Sequence, residues 1–176
     1  MKRRLFLDIE TPMITGGTLP DKIFLIVCKD TESRQLFTFT DDKFDEFKTL
    51  VSSYDEFVGH NIIGFDLPVL QRLHNFKYEG KIIDTLVMSR LYNPIRENGH
   101  SLKTWGYKLS CPKQEQPEFE NYSPQMLDYC EQDVILNETV YKYLLNEGRG
   151  FSKQSVDLEH LVSAIMLEQE KNGFYF

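Results

Sequence analysis

Leu5-Phe6-Leu7-Asp8-Ile9-Glu10-Thr11 reads as one β-strand that ends in two carboxylates. Side chains alternate across a strand, so Leu5, Leu7 and Ile9 share one face, while Phe6, Asp8 and Glu10 share the other. At about 3.3 Å of rise per residue, Asp8 and Glu10 stand roughly 6–7 Å apart at the backbone, a gap flexible side chains close onto a shared divalent cation. Carboxylates form strands poorly, so this pair marks either a solvated sheet edge or a site.

Working outward, residues 22–29 form a near-continuous apolar run, expected of a strand buried on both faces. Residues 35–40 alternate apolar and polar, giving a third strand and an antiparallel meander. Asp41 or Asp42 is expected to cap a helix carrying Phe44, Phe47, Leu50 and Val51. A short strand at 56–59 leads through His60-Asn61-Ile62-Ile63-Gly64-Phe65-Asp66 into a helix with Leu67, Leu70 and Leu73. A fifth strand at 81–83 precedes a helix capped by Asp84. Residues 93–121 form a long, polar connection with one short helix, 101–109, the kind of segment that is usually functional. Ser123-Pro124 starts a long helix to about residue 146, and a last helix spans about 155–171. The order β-β-β-α-β-α-β-α predicts an α/β domain, a mixed five-stranded sheet flanked by helices.

The 176 residues, 41 % hydrophobic with 13 Phe and 9 Tyr, suffice for one globular core. No run approaches the ~18 apolar residues of a membrane span, and the basic start leads into a strand rather than a signal sequence, so a cytoplasmic protein is expected. Cys28, Cys111 and Cys130 lack metal-ligand spacing and read as reduced thiols. The four histidines share no zinc-like spacing either. A net charge of −7 argues against coating nucleic acid by bulk electrostatics, though not against a nucleic-acid enzyme with local bases. Arg96, Lys103, Lys108 and Lys113 make 93–121 locally basic, as a solvated face or as a contact to a single strand.

Three separated pieces fit one site: Asp8-x-Glu10, Asn61-x-x-x-Phe65-Asp66, and Tyr129-x-x-x-Asp133, the last placing a phenol and a carboxylate one helical turn apart. Four clustered acids without cations would repel one another and raise each other's pKa, so the set makes physical sense as a hard-metal site. In this order and at these intervals the pieces resemble the three motifs of DEDD 3′–5′ exonucleases. The Tyr four residues before the last Asp resembles the DEDDy branch. The sister branch has a His five residues before that Asp, where this chain has Asp128. The stretches 83–90 and 100–109, and the tail from Leu158 to Phe174, are similar to the proofreading exonuclease domain of family A DNA polymerases, most of all those of short-tailed bacteriophages.

The resemblance implies an RNase H-like fold, with an exonuclease domain at 1–148 and a linker and helix at 149–176 that in the family lead into a polymerase. It implies two divalent cations, Mg²⁺ or Mn²⁺, held by Asp8, Glu10, Asp66 and Asp133, with Tyr129 and Glu10 orienting the attacking water. It implies Thr11, Ile14 (with Met13), Asn61 and Phe65 as contacts to the terminal nucleotide. The implied substrate is a single-stranded or frayed DNA 3′ end, in proofreading during replication, in the host cytoplasm if the chain is phage-encoded. A separate DNA polymerase is an implied partner. Two other functions fit the same motifs, a DEDDy exoribonuclease and a non-catalytic polymerase-associated subunit. Read from residues alone, Phe65 also suits a core position, Asn61 a turn, Ile14 and Met13 a core cover, and Trp105 packing rather than a base contact.

Overall fold

A computed structural model describes residues 2–12, 19–111 and 121–173. The opening stretch forms strand β1, Arg4–Glu10, at the centre of the sheet. It is followed by β2 (Leu25–Asp30), β3 (Leu36–Phe39), helix α1 (Phe44–Val51), β4 (Glu56–Gly59), α2 (Asp66–His74), β5 (Lys81–Asp84), α3 (Thr85–Tyr92), α4 (Leu102–Lys108), α5 (Pro124–Glu147) and α6 (Lys153–Asn172). The sheet order is β3-β2-β1-β4-β5. The first three strands are antiparallel neighbours, whereas β1, β4 and β5 run parallel, so the mixed five-stranded α/β sheet is borne out.

The alternation in β1 divides the molecule into two apolar layers. Leu5, Leu7 and Ile9 pack with Phe44, Phe47 and Val51 of α1 and with Val69 and Leu70 of α2. Phe6 faces the opposite layer, where Met88, Trp105, Val134 and Leu144 come from α3, α4 and α5. Leu25, Ile26, Val27 and Cys28 are fully buried, so β2 is covered on both faces. Asp8 and Glu10 therefore point from the sheet toward α5.

Local signals set several helix ends. Ser123 accepts a hydrogen bond from the Met126 N–H, with Pro124 opening α5. Ser101 caps α4 in the same way, through Thr104. The expected cap at Asp41 or Asp42 is corrected. Residues 41–43 form a 3₁₀ turn ahead of α1, and neither carboxylate caps a helix. Asp41 instead pairs with His74 Nε2 at 2.7 Å, and Asp42 accepts from the Thr40 hydroxyl. A tertiary partner on α2 outcompetes the local cap.

Strand β1 pairs with β4 only over Arg4–Phe6 against Glu56–Val58, so its last residues run past the end of β4. In parallel α/β sheets the crevice beyond the strands' carboxyl ends is where ligands sit. Among the described residues no helix is long and apolar enough to cross a membrane.

Candidate active site

The chain fills the crevice beyond β4 with the turn from His60 to Phe65. Asn61 adopts a left-handed conformation, φ 64°, which Asn tolerates better than most residues. Its side chain packs so closely over Gly64 that a Cβ there would lie 2.5 Å from Asn61 Oδ1. The turn is pinned from outside by Asp84, whose carboxylate accepts from the backbone N–H groups of Asn61 (2.9 Å) and Ile63 (3.1 Å). The same carboxylate caps α3 through Leu86 and Val87, so one buried group fixes both segments. Beside it the Thr85 hydroxyl meets Asn137 Oδ1 at 2.7 Å and His60 Nδ1 at 2.9 Å, tying the turn to α5.

This scaffold delivers Asp66 to the first residue of α2, 3 % exposed. Its carboxylate takes hydrogen bonds from its own backbone N–H and from that of Ile9, the residue between Asp8 and Glu10. Asp133 (4 % exposed) and Tyr129 (7 % exposed) reach the same place from α5. Asp8, Glu10, Asn61, Phe65, Asp66, Tyr129 and Asp133 all line one cleft of about 830 Å³. The same cleft is also lined by Arg90 from α3, His100 before α4, and Lys103 and Tyr107 on α4.

Seven of the nine candidate residues thus meet. Phe65 also packs partly against the α1/α2 layer, so its core reading and its site reading coexist. Thr11 is buried directly after β1, its hydroxyl on the Pro12 carbonyl, and stands beside the cleft lining. Ile14, with Met13, lies outside the described residues. Trp105 is fully buried under Arg96, 4.3 Å from its guanidinium carbon, which settles it as packing.

Cys130 is the residue that spacing did not mark. Its thiol lies 3.4 Å from Asp8 Oδ2 and donates to it, and ligand atoms of Asp8, Glu10 and Cys130 all fall within 4.8 Å of one another. Burial raises its pKa well above the thiol value, and the charges of Asp8, Glu10 and Asp133 raise it further, so it acts as a donor that orients Asp8. Only the approach of α5 to β1, 122 positions apart in sequence, reveals it.

Burial, and then the charge of Asp84, push the Asp66 carboxyl up to about 7, against the pull of its two N–H donors. Its folded pKa lies above the unfolded value of about 3.9, so the metal-free fold holds a proton that the unfolded chain releases. That stabilising contribution is complete below about pH 4 and is lost as pH rises to about 7. Thermal melts in EDTA are therefore expected to show Asp66→Asn gaining several degrees over wild type across this window. A difference that stays flat with pH would contradict the burial argument.

No family model matches the chain. Its sequence is 26 % identical to the DNA-directed DNA polymerase of Escherichia phage T7, over 178 aligned positions covering 68 % of this chain and 25 % of the polymerase. The chain spans about a quarter of the length of the curated relatives it matches. In three dimensions it superimposes on Brucella melitensis NrnC with bound Mg²⁺ at a TM-score of 0.70 and 17 % identity, covering 98 % of this chain and 89 % of that one. Escherichia coli RNase D, an exoribonuclease involved in structured RNA processing, aligns at 0.68 and 16 % identity, covering 92 % and 45 %. The fold is RNase H-like and shared with these nucleases, and the resemblance to part of a short-tailed phage DNA polymerase is borne out.

Proposed function

We propose that this chain is a DEDDy 3′–5′ exonuclease that removes nucleotides from a DNA 3′ end with the help of two divalent cations. One observation carries the reading: Asp8 and Glu10 from β1, Asp66 from α2, and Tyr129 and Asp133 from α5 converge on one cleft.

The donors suit hard cations. They are carboxylate oxygens, and the one sulfur beside them, on Cys130, is held as a thiol. Burial is the main cause that raises the Asp66 carboxyl and the Cys130 thiol, and for Cys130 the charges of Asp8, Glu10 and Asp133 add to it. Asp8, Glu10, Asp66 and Asp133 are the residues that would hold such cations. Bound there, the cations would lower the pKa of a water and stabilise charge on the departing 3′ oxygen.

The chain's own groups do the rest. Tyr129, with Glu10, orients the attacking water in line with the scissile bond, which is a positioning contribution. Asn61 and Phe65 hold the terminal nucleotide against the cleft floor. Arg90 and Lys103 line the same cleft as the acids and offer positive partners to phosphate oxygens. Because the phage match is to part of a DNA polymerase, the reading includes a proofreading-type role on 3′ ends that a polymerase supplies.

RNA is the alternative substrate, because the fold is shared with an exoribonuclease. Parallel digestion of single-stranded DNA and RNA of one sequence with Mg²⁺ tests the choice. DNA is expected to be degraded at least about tenfold faster, since the 2′-hydroxyl is the group a site uses to tell them apart. Faster loss of RNA would replace the deoxyribonuclease reading with the exoribonuclease one.

A further inference from the structure

Helix α4 buries one face and exposes another. Leu102, Trp105 and Gly106 are buried, whereas Tyr107 is 67 % exposed and Lys103 stands one turn before it on the same face. These two side chains line the catalytic cleft, and they also line a second cleft of about 790 Å³. That second cleft carries amide and hydroxyl groups from Asn93, Asn98 and Thr104 and one carboxylate, Glu97. Lys108 adds positive charge there, its ammonium over the Trp105 and Tyr143 rings. Arg96 at its base is committed to Glu147 at 2.6 Å, so it serves the fold.

Lys103 and Tyr107 therefore form a ridge joining the two clefts. An exposed aromatic one turn from a lysine, at the rim of an acid-floored cleft, matches what an unpaired nucleic-acid strand needs: a flat surface for a base and a cation for a phosphate. The geometry points to a single-strand groove that leaves the catalytic cleft over α4 into the second cleft. Tyr107 stacks on an internal base and Lys103 contacts the adjoining phosphate. The inference rests on the exonuclease reading for the direction of the strand, and it adds a subsite beyond the terminal nucleotide. Stacking accepts any base, so the subsite gives length dependence without sequence preference.

The test is binding of 5′-fluorescent oligothymidylates of two to eight nucleotides, followed by anisotropy in EDTA at low salt, where no hydrolysis interferes. Affinity is expected to rise with length, and Tyr107→Ala to weaken the longer oligonucleotides about tenfold while flattening that rise. Tyr107→Phe keeps the ring and is expected to restore it, which separates stacking from a folding defect. Lys103→Ala is expected to lower the salt dependence of binding by about one counterion. An unchanged length dependence in Tyr107→Ala, or no binding by wild type at any length, would overturn the groove. Length-dependent binding lost in Tyr107→Ala, from a wild type that cleaves nothing when Mg²⁺ is added, would uphold the groove and overturn the exonuclease reading instead.

Discussion

Asp8→Ala is expected to cut nuclease turnover at least about a thousandfold while leaving the metal-free protein no less stable than wild type. Metal assistance contributes several kcal/mol to such reactions, and each 1.36 kcal/mol is tenfold in rate. Asp8 is the acid on which the proposed cluster turns. It lies on the central strand, shares a face with Glu10, and receives the Cys130 thiol. Its side chain is half-buried and stands outside the apolar layer that Leu7 and Ile9 build on the other face. Removing one of several neighbouring negative charges relieves repulsion in the absence of cations, so melting in EDTA should hold or rise. Circular dichroism with steady-state digestion checks both halves. Activity within tenfold of wild type would show that Asp8 is not a cation ligand.

The largest expected effect on stability is at Trp105, which no motif requires. It is fully buried, meets Tyr143 edge-on at 5.2 Å between ring centroids, and carries the Arg96 guanidinium on its face. Truncating such a side chain costs about 3–5 kcal/mol, and at this size each kcal/mol lowers Tm by about 2–4 °C. Trp105→Ala is thus expected to lower Tm by roughly 6–20 °C. The indole N–H finds no acceptor among the described residues, so it adds a desolvation cost rather than a bond. Trp105→Phe should for that reason be clearly milder than Trp105→Ala. Since α4 carries the Lys103–Tyr107 ridge, longer oligonucleotides should suffer most in the alanine variant. Thermal denaturation of the two variants decides; equal losses would mean that ring packing contributes little there.

What sequence could show was what short range controls. The period of two in β1 correctly separated Leu5, Leu7 and Ile9 from Phe6, Asp8 and Glu10. The continuous apolar run marked a doubly covered β2, and Ser123-Pro124 and Asp84 announced the helices they start. Convergence of Asp8, Glu10, Asn61, Phe65, Asp66, Tyr129 and Asp133 on one cleft followed from placing each motif on its element. What stayed hidden depends on pairings between distant segments. Cys130 matters because α5 lies across β1, and Asp41 fails as a cap because α2 brings His74 to it. Asp84 was legible as a cap only. Its second task, holding Asn61 and Ile63, depends on β4 and β5 being neighbours, and its backbone N–H donates to His160 because α6 packs on β5. That helix packs on α3 and β5 yet keeps Leu158, Leu161, Ile165 and Met166 exposed.

The central claim is that the carboxylate cluster is a cation site that drives hydrolysis from a 3′ end. The most direct test digests a 5′-labelled single-stranded DNA with the wild-type protein in Mg²⁺, with EDTA in parallel. A ladder that shortens one nucleotide at a time from the 3′ end, and disappears in EDTA, is the predicted result. Digestion that persists undiminished in EDTA, or cuts scattered through the strand interior, would contradict the account.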